Sequence, residues 1–451
     1  MDVRTWLAQP VAAAAARRWV LGAGMGAFAL VALLYLARPD WYFAALPAFF
    51  FFDHPFRYPF HDTGGVMATV ECWRAGIDVY VRNPCDAENR AWPYSPLMLR
   101  LWFLPTASAL LPLVGGLLGL CFLLSQALLP QAGRRRELLL VLAALLSPSV
   151  VFAIERANID LLIFILLVGA ARALLSPPPL RALAYALIAV CGLLKFYPFV
   201  AMAVVMRERA KGLLLVLGLS ALACAWFLWQ YHVEIAKALL VVRSMDGHWG
   251  PFTDRFGARQ FVAGLWTLLA EPGYKDLTHL SRQSARAGPG VLVLAAALVS
   301  LITALRLAGQ EVLVRRLRDL PARQLDVLVI GALIFSGCFF AGNSNAYRAI
   351  FLLMLLPGLM SLSREHGAGE RRAPAWLRWA PLGVVYSMWA PGTQHLIQVA
   401  GKFLELGQAG GGVLLLDWLL HECVWWWLAT VCVAVLLRCA RDAPLLRAFR
   451  P

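Results

Sequence analysis

Charge is what this sequence has least of. Asp, Glu, Lys and Arg supply 15% of its 451 residues, where a soluble domain carries about 25%. Apolar residues reach 61%. A larger soluble core cannot absorb that excess, because surface still grows with size and needs polar cover. The outer surface must therefore face lipid. Lysine is scarce among the few charges, occurring only at 195, 211, 237, 275 and 402. There is no internal repeat, no low-complexity tract, no soluble domain and no Cys/His spacing of a zinc site. Solenoid, disordered and metal-clamped architectures are excluded accordingly.

Apolar runs of spanning length are abundant. A lipid-crossing helix needs about 20 such residues, and clear candidates are Trp19–Leu36, Ala107–Leu129, Leu138–Ala153, Ile159–Leu175, Gly212–Tyr231, Val291–Leu305, Leu325–Ala341, Ala349–Leu362 and Gly411–Leu437. Leu377–Pro391 and Leu180–Met206 are weaker. Trp41–Phe52 is brief enough to lie along the interface. The pair Arg17–Arg18 before the first run resembles a signal-peptide start, but no small-residue cleavage site follows, so a retained helix is expected.

Basic loops orient the chain. Arg17–Arg18, Arg134–Arg136, Arg207–Lys211, Arg315–Arg323, Arg364–Arg378 and the arginine-rich tail all belong on the cytoplasmic side. The net charge of +15 is then topogenic, and no nucleic-acid partner is expected. Alternation satisfies every loop only if Leu180–Met206 enters and leaves on the same side. That calls for a hairpin turning near Lys195-Phe196-Tyr197-Pro198, where the proline interrupts the helix. The expectation is an all-α polytopic membrane protein of about twelve membrane helices, short or re-entrant ones included. It forms a single transmembrane domain over 1–451 with both termini cytoplasmic. Two longer outer loops cover about 38–96 and 232–288.

Most of the nine cysteines fall in apolar runs, where they act as small hydrophobes. Cys72 and Cys85 share the first outer loop, as a disulfide or as two free thiols.

Polar residues crowd the outer ends of the spans, where ionisable groups mark a cavity or pathway. The first outer loop carries Asp53-His54 and His61-Asp62, and closes with Trp92-Pro93-Tyr94. A carboxylate there, Asp62 before Asp53, can take a proton from a hydroxyl acceptor; a helix cap or loop salt bridge is the plainer role. In Glu155-Arg156-Ala157-Asn158-Ile159-Asp160, Arg156 and Asn158 can bind phosphate or sugar with Glu155 orienting Arg156, or simply cap a helix. Lys195, beside Tyr197, can meet a phosphate as a point charge or snorkel. Asn343, Asn345, Tyr347 and Arg348 precede a span, and Arg348 can grip a phosphate bidentately. His248, Trp249 and their neighbours in the second outer loop can contact a sugar or form an aromatic belt.

These clusters, in this order, resemble the family 87 glycosyltransferases of the GT-C superfamily, which include polyprenol-phosphate-mannose-dependent mannosyltransferases. The resemblance rests on Asp62, "AGIDVY", "YSP", "RANID", "LKFYP" and "YRAIFLLMLLP", over residues 53–362. The chain departs from the family pattern at "NSNAYR" and at Thr63-Gly64-Gly65. The resemblance implies a GT-C-like fold, while the arginine-rich, lysine-poor usage suggests a GC-rich bacterial genome and hence an inner membrane. The resemblance also implies inverting transfer of mannose or another sugar from a polyprenyl-phosphate donor to a lipid or glycan acceptor at the periplasmic face. Asp62 would act as base; Lys195, Arg348 and Arg156 would hold the donor phosphate; Asn158, Tyr94, Tyr197, Tyr347 and His248 would contact substrate. No metal or other cofactor is implied. The rival class is a transporter or flippase, whose path the same charges would line.

Overall fold

The computed structural model describes residues 3–50, 59–101, 103–245, 255–270, 289–342, 344–364, 372–404 and 407–444. Eight of its helices are long and apolar enough to cross a membrane, or nine if Arg135–Leu145 and Pro148–Glu155, bent by 42°, form one broken span. The only paired strands among the described residues are Arg255–Phe256 and Ser344–Asn345, antiparallel and two residues each. The chain is an all-α, multi-pass membrane protein. Several helices are apolar all round, which is the mark of a span. On Ala210–Met245, Leu214 and Leu222 are each 69% exposed, and on Pro289–Ala308 Val291 is 77% exposed.

The clear expected spans fall on helices, with Leu138–Ala153 on the bent pair above. The weaker Leu377–Pro391, divided between the helices Ala375–Arg378 and Ala380–Phe403, is not among the eight. Two elements differ further. Ile159–Ala173 has 15 residues, about 22 Å at 1.5 Å per residue, which falls short of a full crossing on its own. The expected break after Tyr231 is a kink instead: Tyr231 leaves helical geometry, yet the helix runs on to Met245. Residues 232–245 of the expected outer segment are therefore helical. The sequence reading missed this because His232, Glu234 and Lys237 end the apolar run. Hydropathy registers loss of lipid contact, not loss of helix.

The chain divides into two compact units. One contains residues 1–55, 123–152 and 249–438. Its centre is aromatic, with Phe256 stacked on Trp425 at 4.4 Å between ring centroids. Within the same unit Glu137 is almost fully buried and takes two bonds of 2.6 Å from Arg364. The Gly133 amide donates to the same carboxylate at 2.9 Å.

The second unit contains residues 56–122, 153–248 and 439–451. Its frame is a helical hairpin. Pro178–Lys195 rises, the chain reverses at Phe196, and the 3-10 helix Tyr197–Arg207 returns along it. Phe196 has φ 62° and ψ −54°, close to the strained γ-turn geometry. The reversal is pinned at the far end, where Tyr185 donates to Glu208 at 2.9 Å and Arg181 approaches the same carboxylate at 3.3 Å. Gly192 permits the close return, since a Cβ there would lie 2.5 Å from the Phe199 ring. The hairpin expected over Leu180–Met206 is present, with Lys195 at its tip.

Candidate functional site

Asp62 opens the helix His61–Arg74. That helix start is docked on the turn 155–158 by three bonds: Phe60 N to Glu155 O at 2.6 Å, Asp62 N to Arg156 O at 3.1 Å, and Thr63 Oγ1 to Ala157 O at 2.5 Å. Asn158 then caps the Ile159–Ala173 helix, its side-chain oxygen accepting from Asp160 N at 3.0 Å. Asp, Asn and Ser are favoured at such positions because their oxygens satisfy orphan helix amides. Two segments some 95 residues apart in sequence thus fix one another's backbones before any side chain is considered.

The side chains continue the arrangement. Arg156 donates to Asp62 Oδ1 at 2.5 Å, and Asn158 Nδ2 donates to Asp62 Oδ2 at 2.5 Å. Lys195 Nζ donates to Asn158 Oδ1 at 3.1 Å and to Asp160 Oδ1 at 2.8 Å. Tyr197 adds a hydroxyl bond to Asp160 Oδ1 at 2.8 Å. The Lys195–Asp160 pair is buried, with side-chain exposures of 1% and 0%. Tyr94 faces the same ammonium, its ring centroid 5.0 Å from Nζ. One polar chain therefore runs Arg156–Asp62–Asn158–Lys195–Asp160–Tyr197.

Burial pushes the Asp62 carboxyl up, but the charge of Arg156, the bonds from Arg156 and Asn158, and the more distant Arg90 outweigh it. Asp62 is held below the ordinary carboxylate value and is ionised at neutral pH. Its neighbour His61 moves down for a different reason. Burial disfavours the imidazolium first, and Arg90 and Arg156 add to that against Asp62 and Glu88. A neutral His61 can accept at Nε2 from Arg90 Nη2, 3.2 Å away. Glu88 also lies 3.1 Å from that nitrogen; the pKa direction favours the arginine contact as the one that sets the tautomer.

Beside Asp62 lies a small, open cleft. Its far wall comes from the loop after the helix His61–Arg74, closed by a Cys72–Cys85 disulfide; of the two states open for these cysteines, the bonded one is present. In this loop Asp86 accepts from Arg90 Nε, Nη2 and backbone N at 2.9, 2.9 and 3.0 Å. Gly65 admits the loop, because a Cβ there would come within 3.0 Å of Asp86 Oδ1. Asp86 and Arg90 escaped sequence reading, since "CDAENRAW" looks like a solvated loop. Their i,i+4 spacing beside a cysteine was the available signal.

Four non-glycine residues among those described have positive φ: Phe60, Asn89, Ala157 and Phe196. They adjoin His61, Arg90, Arg156 with Asn158, and Lys195 respectively. Such conformations cost on the order of 1–3 kcal/mol each and gather at functional sites. All four border the polar groups around this cleft.

Asp62, Arg156, Asn158, Lys195, Tyr197 and Tyr94 are thus brought together. Arg156 engages the Asp62 side chain, and Glu155 contributes its backbone carbonyl to Phe60. Arg156 and Lys195 each face a carboxylate. Arg348 and Tyr347 belong to the other compact unit. There Arg348 donates to Ser344 Oγ at 3.1 Å, and the buried Tyr347 ring meets Phe152 edge-on at 5.8 Å. Asp53 and His248 lie outside the described residues. Among the described residues no three His, Cys, Asp or Glu gather as a metal-binding group. Comparison of the chain with protein-family models, curated proteins and solved structures finds no match.

Proposed function

We propose that this protein is a membrane glycosyltransferase that moves a sugar from a polyprenyl-phosphate donor to a hydroxyl acceptor, with Asp62 taking the acceptor's proton. The observation that carries the reading is Asp62 itself: an ionised carboxylate, 17% exposed, clamped on both oxygens and bordering an open cleft lined with hydrogen-bonding groups and aromatic rings. Each oxygen accepts one of these bonds and has a second lone pair.

The acceptor oxygen forms a bond to the anomeric carbon as the bond from that carbon to the phosphate oxygen breaks. The bonding pair leaves with the phosphate, raising its charge from one to two, and the acceptor proton passes to Asp62. A carboxylate with a depressed pKa is a weak base, so it orients the hydroxyl early and receives the proton late, once bond formation has acidified it. Arg156 and Lys195 already balance Asp62 and Asp160. They help to fix the base here, and the family resemblance implies them, together with Arg348, for the donor phosphate. Phosphate charge grows during the step, which is where preorganised cations contribute most.

The Cys72–Cys85 disulfide supports placing this face on the oxidising, extracytoplasmic side, because disulfides persist in such compartments. The basic loops of the sequence favour the same orientation, in a bacterial inner membrane. The test is transfer by purified protein in phospholipid nanodiscs, using labelled polyprenyl-phosphate sugars and a panel of glycan and lipid acceptors. Wild type should transfer; Asp62→Asn should lose about 10²–10⁴-fold in turnover, and Arg348→Ala should raise the donor KM. Full turnover by Asp62→Asn would remove the assignment of the base.

A further inference from the structure

The cleft beside Asp62 carries more chemistry than proton transfer uses. Two carboxylates, Asp62 and Asp86, and one guanidinium, Arg90, line it. The guanidinium is committed to Asp86 through two parallel bonds of 2.9 Å, which fixes the fork geometry typical of Arg–carboxylate pairs. Glu88 stands 3.4 Å from Arg90 Nε and adds a further negative charge. Arg156 pairs with Asp62 as Arg90 does with Asp86, so Glu88 carries the excess negative charge that an entering anion would meet, in a partly dehydrated site where repulsion is poorly screened.

Hydrogen-bond donors and acceptors remain available. Arg90 Nη1 carries two hydrogens that neither Asp86 nor His61 uses. Asn83 lines the same cleft and is 1% exposed. Its amide orientation follows from its neighbours. Thr69 Oγ1 donates to Gly65 O at 2.6 Å, so that oxygen accepts from Asn83 Nδ2 at 2.9 Å, and Nδ2 also donates to Arg90 O at 3.0 Å. Asn83 Oδ1 is left as a buried acceptor without a partner among the described residues. Such groups normally have one. Trp92 and Tyr94 add ring surface, packed edge to face with centroids 5.0 Å apart. Free donors and acceptors around aromatic rings, with a net negative lining, suit a polyhydroxylated ring that bears no charge.

We propose that the cleft formed by Asn83, Asp86, Arg90 and Tyr94 beside Asp62 seats an uncharged pyranose of the acceptor, and rejects sugars that bear a carboxylate. The assignment of this sugar to the acceptor rests on the transferase reading above. The Asp86–Arg90 pair is then a specificity determinant: Asp86 neutralises a cation that would otherwise recruit an anionic sugar.

Binding measured without any donor separates this proposal from the transferase reading. Full-length protein in phospholipid nanodiscs, which carry no sugar-headed detergent, would be titrated with methyl glucoside, galactoside and mannoside and with the matching methyl hexuronides, read by saturation-transfer NMR. At least one neutral glycoside should bind saturably, with its hexuronide tenfold weaker or more. Asp86→Asn frees Arg90 and should narrow that ratio at least threefold; because the ratio is internal to one preparation, loss of part of the folded population does not affect it. Hexuronide binding equal to or tighter than the neutral sugar, absence of binding by all neutral glycosides, or an unchanged ratio in Asp86→Asn would each overturn the proposal. Transfer activity with no such selectivity would overturn it and leave the transferase reading standing. Selective binding without transfer would do the reverse.

Discussion

Asn158 holds Asp62 through its amide nitrogen at 2.5 Å while its amide oxygen receives Lys195 Nζ at 3.1 Å. A single planar group thereby couples the carboxylate to a buried ammonium, and any change at Asn158 is felt at both.

Asn158→Ala removes one of the bonds that stabilise ionised Asp62. The Asp62 pKa should rise toward the ordinary carboxylate value, because the lost bond was a lowering influence. The acid limb of the turnover–pH profile should move to higher pH, and stability should drop by about 1–3 kcal/mol from the unsatisfied partners left behind. A profile unchanged on the acid side would break the link between Asn158 and the titrating group.

Asp160→Asn leaves Lys195 buried beside a neutral partner. Removing one member of a buried pair costs about 3–5 kcal/mol, so thermal unfolding in nanodiscs should shift down sharply. The double variant Asp160→Asn with Lys195→Met should recover much of the loss. Additive losses in the double variant would show that the two residues do not interact energetically.

The Cys72–Cys85 bridge closes a short loop, with 13 residues of sequence separation. Closure of such a loop stabilises by about 3 kcal/mol. Cys72→Ser or Cys85→Ser should lower the unfolding temperature and loosen the Asp86–Arg90 wall. A membrane-impermeant reductant added to spheroplasts should open the bridge, detected by mass after alkylation; protection there and reduction only after lysis would place this face on the cytoplasmic side.

His61 gives stability a pH slope. Its folded pKa lies below the unfolded value of 6.5, so the unfolded chain binds the proton first. Stability is present in full above 6.5 and declines as pH falls from there through the depressed value. His61→Gln should flatten this segment of a stability–pH curve. The opposite slope would mean that Glu88 holds His61 as a cation.

Much of this was legible in the sequence because lipid imposes simple rules. Apolar length identified the spans, and the arginine loops, with Pro198 interrupting one apolar run, required the hairpin that carries Lys195. Asp62, Arg156 and Asn158 stood out as charges and amides at span ends. What stayed hidden was pairing. Nothing local says that Arg156 meets Asp62, 94 residues earlier. The turn at Ala157, with φ of 44°, aims the chain that way, and an alanine gives no notice of a left-handed backbone. Asp86 and Arg90 were hidden for the opposite reason: they sit in a loop whose composition is that of any solvated loop, and the disulfide, Gly65 and the bonds from Asn83 to Thr69 and Arg90 to His61 bring it against the helix bearing Asp62.

The hairpin 178–207 has a consequence for the whole chain. Glu208 is tied back to Arg181 and Tyr185, so the polypeptide leaves the hairpin at the end where it entered. An excursion of this kind changes sidedness by an even number and is topologically silent. Whichever side of the bilayer receives Pro178 also receives Ala210, so the long helix from Ala210 inherits its direction from the segment before the hairpin. The tip is therefore free to vary in depth and sequence without inverting anything downstream, which makes it a permissive place for a buried ammonium.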